Sequence, residues 1–113
     1  MKSRDIGKVI LNTYLQKRSK IFHIWEQRFC VLTEKFLLIY KGPEKNSSSC
    51  DSINLLECSD IKDSDEYLGK NYTFELINKN KRHYFLCNDK DSQEEWIEKI
   101  KKFIYRNNLL IKD

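Results

Sequence analysis

The chain has 113 residues, of which 40% are hydrophobic and 34% charged, and its formal net charge is +4. This length suits one domain with a single core, and the composition is that of a soluble globular protein rather than a disordered or membrane-spanning one. Charges of both signs are plentiful, so the small positive excess does not require a nucleic-acid partner. It does leave room for a local basic patch.

The four cysteines, Cys30, Cys50, Cys58 and Cys87, form no Cys-x-x-Cys pair, and the chain has only two histidines. A zinc site is therefore not expected, and nothing in the sequence indicates another cofactor. The first residues lack the apolar run of a secretory signal, and no stretch approaches the roughly 20 apolar residues of a membrane-spanning helix. We predict free thiols in a reducing cytosol.

Short segments with period-two alternation, rich in β-branched and aromatic residues, predict strands along most of the chain. The predicted strands cover 9–17, 25–32, 36–40, 52–55, 58–62, 72–77 and 83–87. Turn residues separate them about every ten residues, as in a β-barrel or sandwich, and a serine- and asparagine-rich loop is predicted over 44–50. In the second strand we expect Phe29 and Val31 to enter the core and Arg28 to face the other way, because successive side chains point to opposite faces.

The periodicity changes near residue 91, where a helix is predicted. Ser92 followed by Glu95 forms a capping box at its start, and Asn107-Asn108 marks the predicted end. Apolar residues recur at helical spacing: Trp96, Ile97, Ile100, Phe103 and Ile104. A single amphipathic helix needs a surface to cover, so we expect it to plug one end of an open barrel with Trp96 as its core anchor.

In order and spacing these elements resemble the pleckstrin homology (PH) domain over about residues 7–105. The segments Tyr14–Arg18, Trp25–Leu32 and Phe36–Lys41 are similar to the family's first three strands. The closing helix with Trp96 resembles the family's most characteristic feature. The resemblance implies a mainly β fold, a seven-stranded bent barrel or sandwich of two antiparallel sheets capped by one C-terminal α-helix.

Leu15, Phe29 and Trp96 are the expected core residues of that fold. The resemblance also implies one non-catalytic domain over 1–113, excised from a longer protein such as a signalling kinase and monomeric. It would act in the cytoplasm in peripheral association with a membrane. Independently, the serines at 47–49 lack a neighbouring His–Asp arrangement, and three glycines form no phosphate-binding loop, so an enzyme is not expected.

Family members that bind 3-phosphorylated phosphoinositides carry a lysine at the end of the first strand, a basic-x-Arg pair in the second and a tyrosine in the third. Lys17, Arg28 and Tyr40 match three of these positions, and Tyr40 is also a candidate for packing. Glu26 stands where the first basic residue of the pair is expected. A carboxylate there repels phosphate and can pair internally with Arg28 or Lys17.

The loop between the first two strands adds Arg18 and Lys20, which could close over an anionic head group. Ile21 and Phe22 between these cations suit contact with a membrane, although packing onto the domain itself is an equal alternative. His83, beside Lys81 and Arg82, is predicted at an exposed hairpin end, and the alternative is that these three residues form the far wall of a head-group pocket. Two functions stay open: binding of anionic phosphoinositides, or a protein-interaction module of the same superfold with little lipid binding.

Overall fold

Seven antiparallel strands form one continuous sheet in the computed structural model, which describes residues 7–42 and 49–111. The strands are β1 (Val9–Arg18), β2 (Trp25–Thr33), β3 (Phe36–Tyr40), β4 (Cys50–Asn54), β5 (Cys58–Asp63), β6 (Thr73–Asn78) and β7 (Lys81–Leu86). Their spatial order is β4-β3-β2-β1-β7-β6-β5. The sheet bends so that one face surrounds the core without closing completely, which confirms the predicted fold class and all seven strands. The predicted 44–50 loop lies mostly outside the described residues.

A long helix, α2 (Lys90–Ile111), covers one end of this core, and a short helix, α1 (Asp65–Leu68), lies between β5 and β6. The buried core includes Leu15, Leu32, Leu37, Phe74, Phe85 and Trp96. Trp96 is 2% exposed, in keeping with its predicted role as the anchor of the helix. The helix packs on β5, β6 and the 3₁₀ turn Leu55–Glu57, so its apolar stripe meets the sheet as the pattern predicted.

Side chains of β2 alternate in the opposite phase to the one predicted. Cys30 and Leu32 are fully buried in the core. Phe29 and Val31 therefore lie on the outer face, where the Phe29 ring centroid is 6.1 Å from that of Tyr40. The core position predicted for Phe29 is wrong because β2 is apolar on both faces, and hydrophobicity alone then cannot assign a face.

The helix α2 is longer at both ends than the sequence predicted. Its first turn is capped by Asp89, whose Oδ1 accepts a hydrogen bond from the backbone N–H of Ser92 at 2.8 Å. Ser92 is therefore inside the helix and not its cap. At the other end the helix continues through Asn107-Asn108, because asparagine costs an α-helix only a fraction of a kcal/mol.

The segment between β5 and β6 forms α1, which ends at Gly69, where the backbone angle φ is 65° and left-handed. Asp65 fixes this helix to its neighbours, since its Oδ1 accepts hydrogen bonds from the Thr73 N–H at 2.8 Å and from Gln93 Nε2 at 2.9 Å. Burial opposes the charge, but these hydrogen bonds hold the pKa of Asp65 below its ordinary value. The connection between β5 and β6 is thus a short helix that hydrogen bonds hold in place.

All four cysteines carry free thiols, and burial raises the pKa of Cys30, Cys58 and Cys87 to about 12. These three behave as small core hydrophobes. Within the described ranges, no helix combines the length and apolar character needed to cross a membrane. The same ranges hold no cluster of His, Cys, Asp and Glu suited to a metal ion.

Candidate ligand-binding site

A cavity of about 380 Å³ opens where the β1–β2 loop meets the ends of β3 and β4. We call it the basic pocket, and its cations are Lys17, Arg18, Lys20, Arg28 and Lys41. Glu26 and Asp51 are the carboxylates that line it. Five cations against two carboxylates make this a site for an anion.

The register of β1 and β2 explains why these cations meet. Lys17 lies opposite Glu26, and Leu15 lies opposite Arg28. Because Leu15 is in the core, Lys17 two residues later is on the same inner face, one step beyond the last apolar layer. Arg28 lies two residues before the buried Cys30 on β2, so it is on the inner face as well. Both cations therefore reach the pocket along the inner face, and the expectation that Arg28 faces away from the core is corrected.

Lys17 is a half-buried cation of the pocket. Its Nζ is 5.5 Å from the centre of the buried Phe85 ring. Burial lowers the pKa of Lys17, and repulsion from Lys20 lowers it further, while Asp51 acts in the opposite direction. A negatively charged ligand beside Lys17 would favour the charged form of this lysine and so offset the effects of burial and of Lys20 on its pKa.

Two ion pairs occupy part of the pocket. Arg28 Nη2 is 3.3 Å from Glu26 Oε1, and Arg28 Nη1 donates a hydrogen bond to the Gln27 carbonyl at 2.7 Å. Lys41 Nζ is 3.4 Å from Asp51 Oδ1. Both pairs are solvent-accessible, so each contributes about 1 kcal/mol or less and a ligand can compete with it. The sequence had indicated that Glu26 could pair with Arg28, and the structure places the two together.

Tyr40 is outside the pocket, contrary to its prediction as a head-group ligand. Ile39 lines the cavity instead, and Tyr40 points to the opposite face of β3 beside Phe29. A one-residue difference in register exchanges the two faces of a strand. Lys41, two residues after Ile39, is a pocket cation that the sequence reasoning missed, although period-two alternation from Ile39 could have found it.

The β1–β2 loop holds its apolar side chains in solvent. Ile21 is 81% exposed, Phe22 75% and Ile24 55%, so the alternative that Ile21 and Phe22 pack onto the domain is wrong. The loop closes through hydrogen bonds from the Ser19 N–H to the Ile24 carbonyl at 2.8 Å and from the Ile24 N–H to Ser19 Oγ at 3.1 Å. Ile24 extends the apolar tip beyond the two residues that the sequence indicated.

A second, smaller cavity of about 140 Å³ lies on the other side of this loop, between Lys20, His23 and Arg82. Arg18 lines both cavities, and its guanidinium carbon is 5.2 Å from the centre of the Tyr84 ring. The loop therefore has cations on both sides.

His83 is buried, 8% exposed, and not at an exposed hairpin end. It alternates with Phe85 and so faces inward beneath the β1–β2 loop. Burial, reinforced by Lys17 and Lys20, lowers the pKa of His83 to about 4. The imidazole is therefore neutral at physiological pH.

Comparison with known proteins agrees with this architecture. The sequence profile of the PH domain family matches residues 9–105. The chain is 24% identical over 104 residues to "Pleckstrin homology domain-containing protein 1" of Arabidopsis thaliana, covering 88% of this chain and 72% of that protein.

Two solved structures of a Slm1 PH domain share the fold. The complex with phosphoserine has a TM-score of 0.73 and 24% identity, covering 86% of this chain and 96% of that one. The complex with D-myo-inositol-4-phosphate has a TM-score of 0.68 and 23% identity, covering 83% and 95%. The profile match spans most of the chain, and the strand order and capping helix agree with it: this chain belongs to the PH domain family.

Proposed function

We propose that this PH domain is a non-catalytic module that targets membranes by binding the anionic head groups of phosphoinositides in the basic pocket. Lys17, Arg18, Lys20 and Arg28 are the proposed head-group ligands, and Lys41 joins them from β3. In the cell this corresponds to a cytoplasmic domain in peripheral association with a membrane. The observation that carries the proposal is the convergence of these cations beside an exposed apolar loop.

The charges of the pocket support phosphate as the ligand. Among the described residues no carboxylate forms an ion pair with Lys17, Arg18 or Lys20, so these three cations have unused capacity. Each cation near an anionic surface contributes about 1 kcal/mol, so three contribute about 3 kcal/mol before any contact with Arg28. The complex of a Slm1 PH domain with an inositol phosphate is in keeping with this chemistry.

The exposed loop supplies a second, apolar contribution. Ile21, Phe22 and Ile24 stand beside the mouth of the pocket, so a head group in the pocket brings them to the acyl boundary. A free inositol phosphate gains only the ionic contacts, whereas a lipid gains both. Binding to vesicles is therefore expected to be tighter than binding to the soluble head group.

Sedimentation with liposomes tests the proposal. We expect the protein to bind phosphatidylcholine vesicles containing a phosphoinositide, and the double variant Lys17→Ala/Lys20→Ala to bind about thirtyfold more weakly. Raising the ionic strength should weaken binding of the wild-type protein to these vesicles, because salt screens its contacts with phosphate.

The control is Lys62→Ala, which removes one exposed lysine from β5, away from the basic pocket. It should bind vesicles almost like the wild type. If the wild-type protein ignores every anionic vesicle at moderate salt, the lipid proposal is wrong and the protein-interaction alternative gains support. If the double variant binds as tightly as the wild type, the site is elsewhere.

A further inference from the structure

A cavity larger than the basic pocket, a cleft of about 1050 Å³, lies on the outer face of β5, β6 and β7 beneath α1. We call it the acidic cleft. Its charged residues are the carboxylates Asp63, Asp65, Glu66 and Glu75 and the cations Lys62 and Arg82. The cleft thus carries an excess of negative charge in a chain whose net charge is positive.

The floor of the cleft is rigid because its buried carboxylate is fully engaged. Glu75 is 4% exposed, and its Oε2 accepts hydrogen bonds from the Tyr84 hydroxyl at 2.9 Å and from Arg82 Nη1 at 3.0 Å. Lys62 Nζ is 3.6 Å from Glu75 Oε1. Burial alone would raise the pKa of Glu75, but the hydrogen bonds from Tyr84 and Arg82 hold it below its ordinary value.

The rim of the cleft is different, because its groups are exposed. The Tyr67 ring is 78% exposed and stacks on Tyr84, with centroids 6.1 Å apart and planes inclined by 21°. Glu66 precedes Tyr67 on α1, and Asp63 lies at the end of β5. In the part of the chain that the structure describes, neither carboxylate has a cation within ion-pair distance. The rim thus offers an aromatic face beside two carboxylates without an ion pair within the described ranges, of which Asp63 accepts a hydrogen bond from the Asp65 backbone N–H at 2.7 Å.

Two contacts within the chain indicate which chemical group such a surface can bind. Tyr84, the partner of Tyr67 in the stack, carries the guanidinium of Arg18 over its ring at 5.2 Å. Glu75 takes the guanidinium of Arg82 at the base of the same cleft. Within the chain, one guanidinium therefore lies over an aromatic ring, and a different one pairs with a carboxylate of the cleft. Tyr67 and Glu66 offer both kinds of contact at the rim, and among the described residues no cation lies over this ring or pairs with this carboxylate.

We propose that the acidic cleft docks a basic segment of a partner protein, with one arginine side chain of that segment over the Tyr67 ring and paired with Glu66. Charge complementarity selects this occupant, because carboxylates repel phosphate and an anionic membrane surface. Guanidinium is supplied by proteins and peptides, which makes the partner a protein. The inference is independent of the lipid proposal, since none of the rim residues lines the basic pocket.

Chemical-shift titration of the ¹⁵N-labelled domain tests the docking site with a small probe. N-acetyl-arginine amide should shift the backbone amides of residues 63–67 and of Tyr84. N-acetyl-citrulline amide has the same shape without the charge and should leave them unchanged. Equal shifts from both probes, or shifts confined to other regions, would overturn the proposal.

A short fluorescein-labelled glycine–serine peptide that carries two arginines gives the affinity by fluorescence anisotropy. Tyr67→Ala and Glu66→Gln should each weaken it about three- to fivefold, since both groups are at an exposed site. Tyr105→Ala, which removes an exposed tyrosine of α2, is the matched control and should bind like the wild type.

Both substitutions change exposed side chains, so the domain should keep its fold, and its circular dichroism spectrum reports this directly. Peptide affinity that is equal in Tyr67→Ala, Glu66→Gln and the control refutes the docking site. Loss of liposome binding in Lys17→Ala/Lys20→Ala with unchanged peptide affinity shows that the two sites are separate.

Discussion

The basic pocket and the acidic cleft lie close together, separated by the contact between Arg18 and Tyr84, yet their charges are opposite. In the pocket, cations outnumber carboxylates and the floor is apolar. In the cleft, carboxylates outnumber cations and the floor is a buried hydrogen-bonded glutamate. The difference teaches that one sheet can carry opposite charges on its two faces, because successive side chains of a strand point to opposite faces. Alternation places Lys17 on one face and Tyr84 on the other.

The largest expected effect on stability comes from removing Glu75, the buried floor of the acidic cleft. We expect Glu75→Ala to reduce the free energy of unfolding by about 2–3 kcal/mol, because the Tyr84 hydroxyl loses its acceptor and a cavity remains. Urea denaturation measures this. Glu66→Ala at the exposed rim is the control and should change stability by less than about 0.5 kcal/mol. Equal effects of the two substitutions would contradict the distinction between floor and rim.

The two regions should also respond differently to pH. His83 lies beneath the β1–β2 loop with its pKa lowered to about 4 from an ordinary value of 6.5. The unfolded chain therefore binds more protons than the folded one between these values, so stability falls as the pH drops through this window. Between pH 7 and pH 5 we expect a loss of about 2 kcal/mol.

His83→Gln should remove most of this dependence. The lowered pKa values of Glu75 and Asp65 keep these two carboxylates ionised over the same range, so they do not add to the loss. Urea denaturation of both proteins at the two pH values is the measurement. An equal loss of stability in the wild type and the variant would assign the effect to another group.

The same change of charge in each region tests whether liposome binding depends on the basic pocket or on net charge. Glu26→Lys removes the carboxylate that pairs with Arg28 and adds a cation, so we expect liposomes containing phosphoinositide to be bound about tenfold more tightly. Glu66→Lys makes the same change of charge at the acidic cleft. It should alter liposome binding far less. A similar gain in both variants would mean that only net charge matters.

The smallest expected effect separates the apolar loop from the ionic contacts. Phe22→Ala should weaken binding to vesicles about fivefold, since partial burial of the ring in the membrane is lost. Binding of a soluble inositol phosphate, measured by calorimetry, should not change. If both ligands are affected alike, Phe22 shapes the pocket and does not enter the membrane.

The strands and the capping helix could be predicted because their signals are local. Alternation identified several strands, a continuous apolar run identified β3, and the apolar stripe identified the helix. The facing of β2 could not be predicted, because apolar residues occupy both of its faces. β3 is likewise apolar on both faces, and Tyr40 was expected at the pocket where the structure has Ile39.

Lys17, Arg18, Lys20 and Arg28 could be named from the sequence because they lie within two adjacent strands and one loop. The acidic cleft could not, because it joins residues 63–67 to Glu75, Arg82 and Tyr84 across three strands. A sequence shows residues 63–66 only as an acidic turn. Their aromatic and basic neighbours become apparent once the register of β6 and β7 is known.

The distribution of thiols has a practical consequence. Cys50 is the one exposed cysteine, while Cys30, Cys58 and Cys87 are buried and protonated at neutral pH. A maleimide dye would therefore attach at a single position in the native chain. That position is next to Asp51, which lines the basic pocket, so a dye on the unaltered protein would report on any ligand that enters this pocket.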